Sequence, residues 1–391
     1  MQDDAESTQQ KPKDKNNISL GTITNNLVAG DVEAPKNSKK KFSFKDLTKK
    51  QKIILVVSLI VTLLVGGFSV WYFFLKQDPP APAPTAITQT PEDPPKTTEP
   101  SKLTGLEVKP EINDRTVTGI MIENSPDARP QAGLRDAGVV YEAIAEGGIT
   151  RFLALFQDEV PEYVGPVRSV RPYYLDFLVP YDAGVAHVGG SGKALGQIKS
   201  QGIKDLDQFS NSGAFWRESK RYAPHNMYTN VKKLKTIEKQ KGWKASDYQS
   251  LERGEESQPV AKITAKDISV KISSTNYNVK YEYDKKTNTY LRFVGNRPHK
   301  DDKSNKQLAP SVVIVPIIKR SQDGIYSVYQ VNGEGKVYVF QNGTVTIGKW
   351  KKKNRKDQFK FVNENGKTLK LAPGQTWFTI TAMSSNVSYT P

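Results

Sequence analysis

The 391-residue chain contains no cysteine. That absence excludes thiol nucleophiles, thiolate metal sites, disulfides and a lipidated-cysteine anchor, so a hold on a membrane has to come from a helix. Histidine is nearly as scarce, with only His187, His225 and His299. None has the short ligand spacing of a motif such as H-E-x-x-H, so neither a metal nor another cofactor is expected. Apolar residues make up 37%, low for a wholly globular chain. The first hundred residues are largely polar or proline-rich, so the remainder must be richer in core than the average, and the length suggests two folded units plus tails. Acids are also in short supply: 41 against 57 basic residues, a formal charge of +16.

One long uncharged run is present, Ile53 to Leu75. At about 1.5 Å per residue it can cross a hydrocarbon core of roughly 30 Å. Trp71, Tyr72, Phe73 and Phe74 form an aromatic belt at its end, and lysines from Lys36 to Lys52 crowd the other side, which predicts a cytoplasmic N-terminus and an extracytoplasmic C-terminal region. Ala81, Pro82 and Ala83 faintly suggest a signal-peptide cleavage site instead, but the run is too long for a usual h-region and starts too far into the chain. Ser58, Thr62 and Gly66 share a helix face; a lipid-facing span is preferred over self-association. Residues 1–52 read as a disordered basic tail able to rest on anionic lipid, and residues 76–104 as a proline-rich stalk.

Beyond the stalk, an α+β domain is expected over residues 105–255. Its strands are Val117–Glu123, two around Gly147-Gly148 within Val139–Phe156, and Ala183–Val188; its helices are Lys193–Ser200 and Val231–Lys241. A smaller β-rich domain is expected over residues 262–391. Hairpins are read at Asn276–Val294, around Asn342-Gly343, and around Asn365-Gly366 between Phe359–Val362 and Thr368–Leu371, followed by a strand at Thr376–Thr381.

Several long motifs then stand out: Arg129-Pro130-Gln131-Ala132-Gly133-Leu134, Glu146-Gly147-Gly148-Ile149-Thr150-Arg151, Gly165-Pro166-Val167-Arg168-Ser169-Val170-Arg171-Pro172, His187-Val188-Gly189-Gly190-Ser191, Pro224-His225-Asn226, Pro298-His299 and Pro373-Gly374-Gln375-Thr376-Trp377. Through them the chain resembles the YerB-like family of bacterial cell-envelope proteins (DUF3048), from about residue 110 to the end. The resemblance implies an extracytoplasmic setting and supplies no reaction. Several relatives look like lipoproteins; here the apolar run stands in place of a cysteine anchor.

The chemistry of these residues allows two readings. In the first, Arg151, Arg168 and Arg171, with Ser169 between the last two, offer guanidiniums that match carboxylate or phosphate geometry. Gly189, Gly190 and Ser191 after His187, with Asn226, would complete a cradle for an anionic or glycan envelope ligand. In the second, Glu142 and Glu146, four apart, act with His187 or His225 as the acid/base set of a hydrolase or transferase on wall glycan. Against the enzyme, the two acids have a simpler use as ion-pair partners of Arg151, Arg168 or Arg171. A P-loop would need glycine at His187, and a nucleophile elbow on Ser191 would need glycine at Lys193. The basic tracts Lys232–Lys235 and Lys349–Arg355 suit anionic polymers or lipid headgroups, or are merely solvated; nucleic acid is not expected.

Overall fold

The computed structural model describes residues 45, 47–75, 97–254 and 261–391. Most of the expected disordered tail, residues 1–52, and most of the proline-rich stalk lie outside the described residues, but Lys49–Lys52 at the end of that tail are helical. The chain divides into two compact units, residues 1–91 and 92–391.

In the first unit a helix runs from Lys49 to Val70 and continues through a π-helical turn at Trp71–Leu75. It begins ahead of Ile53 because Thr48 and Gln51 cap each other reciprocally, satisfying amides that the first turn leaves free. Among the described residues this is the one helix long and apolar enough to cross a membrane, and none of its side chains is buried.

The second unit mixes helices with two large sheets. Ten strands form one sheet in the order Lys360–Asn363, Thr344–Lys352, Gly333–Gln341, Val312–Pro316, Thr376–Thr379, Val139–Ile144, Thr150–Phe156, Thr118–Glu123, Gly184–His187, Asp205–Asp207. The Thr376–Thr379 strand pairs in parallel with Val312–Pro316 on one side and Val139–Ile144 on the other. The segments 105–255 and 262–391, expected as successive domains, therefore complete a single sheet. A second sheet of five strands, ordered Arg297–Pro298, Thr289–Val294, Val279–Asp284, Asp267–Val270, Val387–Thr390, lies against one face of the first.

Burial patterns follow from this layering. Val139–Ile144 and Thr150–Phe156 are buried at every position because their sheet is covered on both faces. Val279–Asp284 alternates buried and half-buried, as a sheet packed on one face must. On the helical side, Tyr141 stacks between Phe177 and Phe378, at 4.8 and 4.2 Å between ring centroids. Phe177 belongs to the helix Pro172–Leu178, which the sequence reading missed: seven residues rich in aromatics carry no readable 3.6-residue period, and the helix is set by Pro172 at its first turn and by burial.

Most expected strands and both expected helices are present. Asn342 and Gly343 adopt positive φ (55° and 73°), the two-residue turn their identities demand. One hairpin is cut short: Thr368–Leu371 forms no strand, retaining a bridge from Thr368 to Val362, because Leu371 instead exchanges backbone bonds with Glu252 and Gly254.

Six strands run the same way: Thr118–Glu123, Val139–Ile144, Gly184–His187, Asp205–Asp207, Val312–Pro316 and Thr376–Thr379. Their C-terminal ends share one edge of the sheet, the edge at which parallel sheets place ligands.

Candidate functional site

Two polar clusters use the motif residues, one sealed between the sheets and one at the C-terminal edge. The sealed cluster centres on Glu142. Its side chain points to the five-stranded sheet and has no solvent exposure; Arg292 Nη2 donates to it over 2.8 Å and Thr150 Oγ1 over 3.1 Å. The Arg292 guanidinium is equally buried. It donates to Tyr281 Oη and His299 Nδ1 and lies 4.5 Å above the Trp377 ring. Since His299 Nδ1 accepts, its Nε2–H donates to Gln131 Oε1 at 2.7 Å. Burial, reinforced by Arg292 and Arg129, holds His299 well below the usual imidazole range, whereas burial pushes the Glu142 carboxyl up against the pull of Arg292.

Glu142 is therefore not half of a catalytic acid pair. The four-residue spacing to Glu146 fails because the strand ends at Ile144 and Glu146 stands beyond it, bridged to Tyr326 at the entry to the Gly147-Gly148 turn, so the two carboxylates go to different partners. Arg292 was not singled out from the sequence at all: an arginine in a hairpin strand reads as solvated unless its acid is known.

At the sheet edge, Glu146 is clamped by two guanidiniums. Arg171 binds it through Nε and Nη2 at 3.0 and 2.8 Å, Arg151 Nη2 pairs with the same carboxylate, and Arg171 also lies over the Tyr326 ring at 5.2 Å. Arg151 Nη1 donates to the Ser169 carbonyl, while its Nε is buried without a hydrogen-bond partner among the described residues. Arg168 pairs at 3.2 Å with Glu123, whose other oxygen takes Ser125 Oγ at 2.9 Å and His225 Nδ1 at 2.9 Å. Of the expected pairing of Glu142 and Glu146 with these arginines, Glu146 with Arg151 and Arg171 is found, whereas Glu142 takes Arg292 and Arg168 takes Glu123, a residue read only as the last position of a strand. Register places Glu123 directly opposite Arg151, so the two subclusters adjoin.

The remaining expected site residues are structural. His187 is fully buried, its Nε2 on Asp205 at 3.1 Å and its Nδ1 on the Gly189 carbonyl at 2.9 Å, which removes it as an external acid or base. The glycine loop is not an open anion cradle either. The Gly189 amide faces Asp207, the Ser191 amide donates to Val170, and Ser191 Oγ caps the helix Gly192–Ser200. A Cβ at Gly190 would come within 2.8 Å of Val170 Cγ1, so glycine there permits the close approach that braces the Arg168–Arg171 segment. Ser169 Oγ donates to the Val188 carbonyl for the same purpose. Asn226 is used within its own loop, accepting from Arg217 and donating to the Glu218 and Arg221 carbonyls. Of the basic tracts, Lys235 pairs with buried Glu238, and Lys352 is buried with its ammonium on the carbonyls of Asn354, Arg355 and Asp357.

Two cavities open near this edge. One of about 530 Å³ lies between the Pro172–Leu178 helix, Ser191–Gln197 and the hairpin that carries Ile325, Tyr326 and Val328, whose side chains are exposed. The other, about 630 Å³, is lined by His225, Tyr163, Glu218, Arg221 and Lys303. No group of acids and histidines able to hold a metal occurs among the described residues.

A mixed sheet completed by a C-terminal strand, with an arginine–glutamate cluster at its edge, defines the class structurally. Comparison then places it. The family described as "Protein of unknown function (DUF3048) N-terminal domain" matches residues 103–244, and the corresponding C-terminal domain matches residues 268–378. The chain belongs to this YerB-like family. It is 33% identical over 284 residues to the Bacillus subtilis (strain 168) protein named "Putative lipoprotein YerB", covering 71% of this chain and 85% of that one. The crystal structure of YerB protein from Bacillus subtilis superposes with a TM-score of 0.67 at 31% identity, covering 74% of this chain and 99% of that chain.

Proposed function

We propose that this is a single-pass membrane protein of the cell envelope whose extracytoplasmic unit binds an anionic envelope ligand, a wall polymer or a lipid-linked glycan, at the C-terminal edge of the ten-stranded sheet. The observation that carries the reading is the charge balance of the arginine cluster at that edge. Among the described residues, Arg151, Arg168 and Arg171 pair with two carboxylates, Glu123 and Glu146, so one positive charge of the cluster is left over in a partly dry setting. Arg168 and Glu146 are the partly exposed members, and the buried Arg151 Nε has no hydrogen-bond partner among the described residues. An incoming carboxylate or phosphate would gain charge-assisted hydrogen bonds there without the cost of ordering the arginines, which the glutamates already hold in place.

The setting is supported by the apolar helix Lys49–Val70, by the lysines that precede it and by the lipoprotein name of the relative; a helix would do here what a lipid does there. Membrane lipid is the expected partner of residues 53–75. The test is co-sedimentation of the Glu92–Pro391 unit with isolated cell walls, comparing wild type with Arg168→Ala and Arg171→Ala. Saturable binding that weakens at least tenfold in both folded variants supports the reading; equal binding by all three proteins overturns it.

A further inference from the structure

His225 differs from the other two histidines in a way that the binding reading leaves unused. Its Nδ1 lies 2.9 Å from Glu123 Oε1 and 3.1 Å from Ser125 Oγ. Glu123, buried to within a few per cent, can only accept, so the proton sits on Nδ1, and Ser125 Oγ donates to the same carboxylate. Nε2 has no hydrogen-bond partner among the described residues, and the ring lines the cavity of about 630 Å³. A carboxylate that fixes the imidazole tautomer and leaves the other nitrogen open is the arrangement of a general base. Ser125 is on the Nδ1 side and cannot be the nucleophile that Nε2 activates.

We infer that Glu123 and His225 form a proton-transfer dyad that hydrolyses an acyl ester, with water as the nucleophile. In the reaction Nε2 takes a proton from water as the water oxygen bonds to the ester carbonyl carbon. The carbon–alkoxide bond then breaks, and the imidazolium returns that proton to the leaving alkoxide, giving an acid and an alcohol. Glu123 stabilises the imidazolium meanwhile. The carrier is a sugar hydroxyl: the exposed Tyr222 offers a ring face, Glu218 and Asp302 accept from hydroxyls, and Lys303, whose ammonium lies over the Tyr163 ring, donates to them. This inference goes beyond ligand binding and does not depend on it. Glu123 is the positioning residue and His225 the catalytic one.

The experiment uses the full-length chain in detergent micelles with p-nitrophenyl acetate as probe, read as steady-state turnover so that single acylation of lysines is excluded. His225→Gln should lower turnover by about a hundredfold or more, the scale of general acid–base catalysis. Glu123→Gln should lower it several-fold and shift the ¹⁵N resonances of the His225 ring away from the Nδ1–H pattern. Thermal melts of both variants check folding, and wall binding is measured on the same samples. Lost turnover with retained wall binding in His225→Gln supports the dyad and leaves the binding reading intact; Glu123→Gln, which also removes the carboxylate that holds Arg168, is read by turnover and ¹⁵N shifts alone. Turnover by folded His225→Gln equal to wild type, or no turnover above buffer by wild type, overturns it.

Discussion

Arg292 and Glu142 show how much one buried pair can hold. Each is fully enclosed, and the guanidinium also bonds His299 and Tyr281 and covers Trp377. Removing one partner leaves the other charge uncompensated, so we expect Arg292→Met to cost about 3–5 kcal/mol in denaturant unfolding. The double variant with Glu142→Gln should cost less than the sum, by more than about 1 kcal/mol. His299 adds a pH dependence. Its folded-state pKa lies below the ordinary 6.5, so under mild acid the unfolded chain takes up a proton that the fold refuses. Stability is therefore fully present above about pH 6.5 and is lost as pH falls, by up to about 1.4 kcal/mol per unit. Between pH 6.5 and 5 the stability of wild type should fall more steeply than that of His299→Gln; parallel curves would contradict a neutral His299. Sequence gave access to these residue types and motifs but not to their roles. Glu142 and His187 read as exposed chemistry because burial is set by strands far away in the chain, and Glu123 read as strand because its partners Arg168 and His225 come from distant loops.

At the scale of elements, local signals were the legible ones. Asn342-Gly343 makes its turn, the apolar run makes its helix, and alternation places the Val279–Asp284 strand. What no local pattern carries is the insertion of Thr376–Thr379 between Val139–Ile144 and Val312–Pro316. Trp377, fully buried against Phe152 and Arg292, anchors that strand. We expect Trp377→Ala to cost about 3–5 kcal/mol. Residues 97–254 and 261–391 expressed apart should each lack cooperative unfolding, while co-expression restores it. A folded, independently melting 261–391 fragment would contradict the shared sheet.

For the whole molecule, the proposed arrangement anchors the chain through its one long apolar helix among the described residues and holds the C-terminal unit outside the membrane. The absence of native cysteine makes the topology directly testable with single substitutions. In intact cells, Asn365→Cys should react with a membrane-impermeant maleimide and Ser7→Cys should not; the reverse pattern would invert the proposed orientation. The most direct test of the central claim is an NMR titration of the arginine Nε–Hε resonances in the Glu92–Pro391 unit with solubilised wall polymer. We expect saturable shifts at Arg151, Arg168 and Arg171, with Arg292 unmoved in its sealed site. Shifts confined to exposed lysines, or none at any of the three edge arginines, would contradict ligand binding at this edge.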